Sequence, residues 1–266
     1  MVMYKEKSIK ELPVIIFSKN RVLGEFWVKG FAKPSVLSEV VKILNEHNVQ
    51  IKNLIAYSIK GEEVAFIIVD LTDIKGDVNE VISKMKALPN VSEVDFFSPK
   101  HYGCVYEAFG FPITSSGFDE NIIMRLRSFI DMLEGIKACF GSAGEAFLWY
   151  LARDGGSSTA KWFNSNLESL DVEDKIKIHL AALFSAGWGK FELKRFDWVE
   201  KVIEIEAIDN LEVKHKKGIA KNPRCTFIRG YLTGLLSVYL GKNVRVEEVE
   251  CEAKKDGRCL FVCYFG

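Results

Sequence analysis

Cys225, Cys251, Cys259 and Cys263 are four of the six cysteines in a chain of 266 residues, and all lie near its C-terminal end. In a reducing compartment such a bunched set is more often metal-binding than a disulfide framework. Val244 to Glu252 and Arg258 to Phe265 alternate as two strands around the polar tip Lys254-Lys255-Asp256-Gly257, which reads as a hairpin. A turn centred near Lys255 sets Cys251 opposite Cys259. Directly opposed residues have Cβ atoms roughly 4.5–5.5 Å apart, close enough for two thiolates to share one zinc with Zn–S bonds of about 2.3 Å. Cys225, placed in the first turn of a helix, brings a third sulfur. Glu248 is the nearest oxygen donor, yet Glu248 and Cys251 stand three apart and face opposite sides of a regular strand. Using both requires a bulge between them. Without it, Glu247, Cys263 or His215 takes the fourth place. The competing reading makes these cysteines small core hydrophobes.

The elements that must position these side chains can be read from capping and periodicity. Asn222 and Pro223 open the last helix, Ile228, Leu232, Leu235, Leu236 and Tyr239 line one face of it, and Gly241 stops it. Gly230 and Gly234, one turn apart, let it lie close against a sheet. Upstream, Asp119 caps a helix carrying Ile122, Ile123, Leu126, Phe129, Ile130 and Leu133. Ser142 to Glu145 form a capping box for the next helix, which Gly155-Gly156 ends. Ser158 to Asn164 make a short helix, and Asp171 starts another bearing Ile176, Leu180, Leu183 and Phe184 up to Gly187. Strands follow at Lys190–Phe196, Val199–Ala207 and Leu211–His215. The result is a helical first half on a mainly antiparallel sheet.

Phe184, Trp188, Phe191, Phe196, Trp198, Phe227 and Tyr231 gather where these helices meet the strands. They read either as core or as the wall of a concave apolar ligand pocket. His179 reads as a surface or half-buried residue, and the pairs Glu204-Glu206 and Glu247-Glu248 as a solvated face.

The N-terminal part has a different rhythm. Residues 12–30 read as a hairpin around Ser18-Lys19-Asn20, Pro34 opens a helix with Val36, Leu37, Val40, Val41 and Leu44 inward, and strands follow at Ile51–Ile59 and Glu63–Leu71. A helix at Val78–Leu88 and a strand at Val91–Phe97 complete a β-α-β-β-α-β order, the ferredoxin-like split arrangement. The pattern stops at Ser98-Pro99-Lys100-His101-Tyr102-Gly103, which divides the chain into domains at 1–99 and 104–266. The fold class is α+β.

Two family resemblances sharpen this reading. Cys225, Gly230-Tyr231, Gly234, Ser237, Gly241, Val244, Glu248, Cys251, Gly257, Cys259 and Phe261 resemble the 4-vinyl reductase domain family, a small-molecule-binding module also found as the effector-sensing domain of aromatic-responsive bacterial activators. That resemblance implies a structural zinc held by Cys225, Glu248, Cys251 and Cys259, and a hydrophobic effector pocket in the same domain, with Phe184, Trp188, Phe191, Trp198, Phe227 and Tyr231 as candidate lining. Residues 25–98 resemble the ACT domain through their element order, the Pro34-x-x-Leu37 helix start and the Val49-Gln50-Ile51 strand entry. ACT domains bind amino acids at the first loop, here Lys33, Pro34 and Ser35. That loop usually reads Asp-x-Pro-Gly; Ala32-Lys33-Pro34-Ser35 has neither the acid nor the glycine, and a side chain on Ser35 crowds the helix start.

Composition narrows the function. Basic and acidic residues balance at 36 each, so no overall positive field attracts nucleic acid or an anionic membrane. No run of 18 or more apolar residues and no signal-peptide h-region is present, so the chain is expected to be cytoplasmic. No Gly-x-Gly-x-x-Gly turn follows a strand to hold a nicotinamide or flavin, and no Ser, Cys or His constellation marks a nucleophile. The expectation is a non-enzymatic, homodimeric regulatory protein. It binds a small apolar or aromatic molecule beside a structural zinc and passes its signal to a protein partner. The alternatives are an adaptor that acts by dimerisation and docking, and a vinyl-reductase-like enzyme.

Overall fold

The computed structural model describes residues 9–31, 34–99, 103–115, 119–218, 220 and 224–266, with the backbone alone for Pro34 and Ser35. Lys33, His101, Asn222 and Pro223, singled out above, lie outside the described residues. Two compact units divide the chain between Ile123 and Met124.

The N-terminal unit is built on an antiparallel sheet. Its elements are β1 (Ile15–Phe17), β2 (Leu23–Phe31), α1 (Pro34–Glu46), β3 (Gln50–Ile59), β4 (Glu62–Asp70), α2 (Val78–Lys86), β5 (Val91–Phe97), β6 (Cys104–Tyr106), β7 (Ile113–Ser115) and β8 (Asp119–Asn121). The main sheet runs β3-β4-β2-β5, the ferredoxin-like order. One face meets the two helices through Phe26, Val28, Ile67 and Val69 of the strands and Val40, Leu44, Val81 and Met85 of the helices. Asp77 caps α2 by accepting the Asn79 N–H.

The expected hairpin at residues 12–30 does not form. Both edges of β2 are taken, by β4 and β5, so β1 pairs with β6 instead. That pairing folds the chain beyond the Ser98–Gly103 joint back onto this unit, where Ile16, Leu23, Ile68 and Val105 make a small second core. The unit therefore runs on to Ile123. Asp119 also departs from its expected capping role: it starts β8, which pairs with β7.

The C-terminal unit contains α3 (Leu126–Asn166), α4 (Val172–Ser185), β9 (Lys190–Asp197), β10 (Val202–Ile208), α5 (Thr226–Leu240), β11 (Val244–Glu250), a 3-10 turn at Glu252–Lys254 and β12 (Cys259–Phe265). Its sheet runs β11-β12-β10-β9, antiparallel throughout. The Leu211–His215 stretch is a turn, not a strand. Asp209 enters the left-handed region at φ 54° and ends β10, and the Lys214 N–H then bonds back to the Asn210 carbonyl at 2.9 Å.

Helix α5 is the centre of this unit. Nearly all of its residues are buried, Leu232, Leu235 and Leu236 completely, as expected of a helix that is apolar all round. Its contacts with α3 correct two readings. Gly155-Gly156 does not end a helix: α3 continues through it to Asn166 and is interrupted only by a kink at Gly141. Nor do Gly230 and Gly234 face the sheet. A Cβ on Gly230 would stand 2.2 Å from the Trp149 carbonyl oxygen, one on Gly234 1.9 Å from that of Arg153, and one on Gly156 2.2 Å from that of Tyr231. Backbone lies against backbone along the whole crossing.

This contact gives the first test. Gly234→Val must force α3 and α5 apart and should lower unfolding free energy by at least about 2 kcal/mol in urea denaturation. Gly155→Ala, whose added methyl meets nothing within 4 Å, should be neutral or stabilising by up to about 1 kcal/mol. Equal effects would contradict the close crossing.

Candidate functional site

The start of α5, the end of β11 and the start of β12 bring one atom each from Cys225, Glu248, Cys251 and Cys259 within 4.8 Å of one another. All three cysteines are fully buried and Glu248 is 9% exposed. The strand alternation that would separate Glu248 from Cys251 is broken: pairing with β12 shifts between Glu248 and Glu250, a β-bulge that leaves Val249 outward. Val244, Val246 and Glu248 face inward before the bulge, and Cys251 faces inward after it. Cys251 does not pair across the hairpin with Cys259 as expected. It precedes the 3-10 turn, and its N–H is taken by the Asp256 carboxylate at 2.9 Å. Cys259 pairs with Ala207 of β10. Cys225 is the N-cap of α5 rather than a first-turn residue, and its side chain makes no capping bond.

The sulfurs of Cys225 and Cys259 are 3.7 Å apart. That is far beyond a disulfide of about 2.0 Å and close to the edge of roughly 3.8 Å that a tetrahedron with metal–sulfur bonds of about 2.3 Å requires. One oxygen of Glu248 accepts the Cys225 N–H at 3.0 Å; the other, Oε1, is buried with no hydrogen-bond partner. A desolvated carboxylate oxygen left without a partner beside three sulfurs is what a metal donor set looks like before the ion is added. The other fourth-ligand candidates stand apart. Cys263 pairs with Ile203 and Val246 in the sheet, Glu247 contacts Arg245, and His215 is exposed.

Residues not singled out in the sequence complete the surroundings. Asn210 donates from Nδ2 to Cys259 Sγ at 3.2 Å and Cys225 Sγ at 3.5 Å, while its Oδ1 accepts the Glu212 N–H. The Glu252 N–H points at Cys259 Sγ from 3.4 Å. Such bonds to sulfur stabilise thiolates and fix their direction. The buried Glu212 carboxylate accepts the Phe227 and Ile228 N–H groups and is neutralised by Lys137 at 2.9 Å. Their only signal in the sequence is the polar run Asp209-Asn210 between apolar neighbours.

Charge in the cluster is unevenly shared. Burial pushes the Cys225 thiol far up, whereas hydrogen bonds from Cys225 and then Cys259 hold Cys251 far below the usual thiol range. Burial also raises Glu248 to about 8. A metal taken up here therefore displaces protons from several of its ligands. Of the other paired carboxylates, Glu204 and Glu206 do lie on a solvated face, bridged to Arg195, Lys194 and Arg258.

A second cluster lies further along α5. Trp188, Phe227 and Tyr231 come together, with Trp188 centred 4.8 Å from Tyr231 and 6.0 Å from Phe227, and Phe129 packs edge-on against Phe227 at 5.2 Å. The remaining expected lining residues are elsewhere. Phe191 is fully buried in the sheet core, Phe184 is half-buried on α4, and Trp198 is 52% exposed beside Phe196 and Phe265.

His179, expected near the surface, has no exposure at all. It stacks on Phe163 at 4.5 Å, its Nδ1 lies 2.9 Å from the Tyr239 hydroxyl, and its Nε2 lies 2.9 Å from that of Tyr231. Thr159 is in hydrogen-bonding range of Tyr231 and itself donates to the Gly155 carbonyl. A chain in which Tyr239 donates to Nδ1, Nε2–H donates to Tyr231, and Tyr231 donates to Thr159 leaves no hydrogen unmatched. It requires a neutral imidazole, and burial pushes the ring's pKa down to about 4.

Comparison with known proteins bears on the same region. Residues 203–264 match the family model of the vinyl-4-reductase domain. A search among curated proteins gives no match. Among solved structures, the phenol-responsive sensory domain of the transcription activator PoxR, in complex with phenol, is 16% identical over 56% of this chain and 78% of that one, with a TM-score of 0.50. A vinyl-4-reductase family protein from Methanocaldococcus jannaschii is 17% identical over 55% of this chain and 85% of its own, with a TM-score of 0.38. The ACT domain from the GTP pyrophosphokinase of Chlorobium tepidum matches 29% of this chain over 100% of its own at 11% identity and a TM-score of 0.26. The PoxR match supports the α+β fold of the C-terminal unit. No helix among the described residues is long and apolar enough to cross a membrane.

The buried imidazole makes stability depend on pH with a definite sign. Between about 6.5 and about 4 the unfolded chain binds a proton at His179 that the folded chain does not. Stability from this ring is therefore complete above pH 6.5 and is lost as pH falls through that window, by roughly 3 kcal/mol in all. Urea unfolding of wild type and His179→Gln across pH 4–7 should show the wild type losing more stability on acidification. Parallel curves would place the ring in water.

Proposed function

We propose that the chain is a regulatory protein whose C-terminal module, from about residue 104 onward, binds a small apolar or aromatic molecule and is held together by a structural zinc. Cys225, Glu248, Cys251 and Cys259 are the proposed ligands. Four protein donors fill a tetrahedral site and leave no position for water, so the metal supplies structure rather than Lewis-acid chemistry. The ligand belongs at the aromatic cluster of Trp188, Phe227 and Tyr231, with the His179–Tyr239 pair as its polar end. The family match at residues 203–264 and the fold likeness to a phenol-responsive sensory domain support a binding role and give no support to a redox enzyme.

One observation carries the proposal: both clusters sit on α5. Its first residues are clamped by the four donors, and one face of the same helix presents Phe227, Tyr231 and Tyr239 to the second cluster. An ion that fixes the helix start thereby fixes the walls of the ligand site. A ligand that shifts α5 against α3 has a rigid lever on which to act. In this reading the N-terminal unit is an ACT-like regulatory module, the chain works as a homodimer, and its output passes to a protein partner.

Native mass spectrometry and thermal melting test the metal directly. Wild type should carry one zinc per chain. Cys251→Ser should lose the ion and melt about 10 °C or more lower, the two losses together. A variant that keeps both its mass and its melting point would rule out a zinc held by this cysteine.

A further inference from the structure

The face of the N-terminal sheet turned away from α1 and α2 carries a groove of about 490 Å³ between β3, β4 and residues 107–114, within the size range of small-molecule sites. Ile55, Tyr57 and Phe66 line its strand side, with the Tyr57 and Phe66 rings stacked 6.2 Å apart. Glu107, Pro112 and Ile113 line the other. Among the described residues no lysine or arginine lines it.

The groove is apolar except where it is acidic. Glu107 is half-buried, and its Oε1 is buried without a hydrogen-bond partner. Glu25 of β2 is fully buried next to this wall: its Oε2 accepts the Ala108 N–H at 2.7 Å, and its Oε1 is also without a partner. Burial raises Glu25 to about 7, and the nearby Glu107 raises it further. Two carboxyl groups have thus been taken out of water with no counter-ion among the described residues, an arrangement that an added positive charge relieves. A bare metal ion would demand several oxygens around it and gain nothing from the aromatic side. An ammonium group on an apolar body satisfies both sides, since Tyr57 and Phe66 attract the cation as well as covering the hydrocarbon.

We propose that this groove binds an organic cation, a primary amine on an apolar body of arylalkylamine size, with its ammonium against Glu107 and its ring over Tyr57 and Phe66. The site is separate from the aromatic cluster of the C-terminal unit and uses no residue of the Lys33–Ser35 loop.

Calorimetry on the full chain with 2-phenylethylamine, 2-phenylethanol and 3-phenylpropanoate tests it. The amine should bind at least about tenfold more tightly than the alcohol, and the carboxylate should not bind. Glu107→Gln should erase the preference by weakening the amine alone. Ser58→Trp, which fills the groove from β3, should weaken the amine about tenfold or more and keeps the test alive should the first variant fold poorly. Equal binding of amine and alcohol, amine binding untouched by either variant, or no amine binding at millimolar concentration would overturn the proposal.

Discussion

The start of α5 is buried, and everything around it follows from the need to satisfy polar groups that water does not reach. The first N–H groups of a helix have no partner within it. Here Glu248 takes the N–H of Cys225, and Glu212 takes those of Phe227 and Ile228. Two carboxylates brought inside for this purpose need positive charge in return. Lys137 supplies it for Glu212. For Glu248 the described residues supply none, and its free oxygen faces three sulfurs. A cation bound by these four donors closes that balance, which is why the helix cap and the proposed metal centre are best regarded as one feature.

The same helix carries the constraint onward. Glycines let its backbone lie against that of α3, so it has no freedom to slide on that side. Its sheet side is fixed by the bulge in β11 and the turn before β12. The aromatic cluster with His179 hangs between these fixed surfaces, its polar atoms matched among Tyr239, Tyr231 and Thr159. A neutral histidine in such a place is stabilised by geometry alone, and so depends on α4, α3 and α5 keeping their spacing.

Much of this could be read from the sequence where the signal was local. Helix α4, strands β9 and β12, and the β-α-β-β-α-β order of the N-terminal unit follow from caps and alternation. The convergence of Cys225, Glu248, Cys251 and Cys259 could be inferred only on condition of a bulge, and the bulge has no marker in Val249 itself. What escaped was decided by distant contacts. Gly155-Gly156 has the look of a helix stop because glycine weakens a lone helix, yet α5 packs there and overrides the preference. β1 looks like the partner of β2 because it is next in sequence, yet β4 and β5 occupy both of that strand's edges. His179 sits on an amphipathic helix whose pattern does not reveal that a further layer covers it. Asn210 and Glu212 lie in a turn without periodicity, so only the fold shows what they touch.

X-ray absorption at the zinc edge of the metal-loaded protein is the most direct test of the proposed centre, because it reads the donor atoms themselves. Three sulfurs at about 2.3 Å and one oxygen at about 2.0–2.2 Å are expected, with no bound water. A four-sulfur shell would bring in Cys263 and free Glu248, and a shell of nitrogen and oxygen would move the metal off this cluster. Either result would contradict a zinc held by Cys225, Glu248, Cys251 and Cys259.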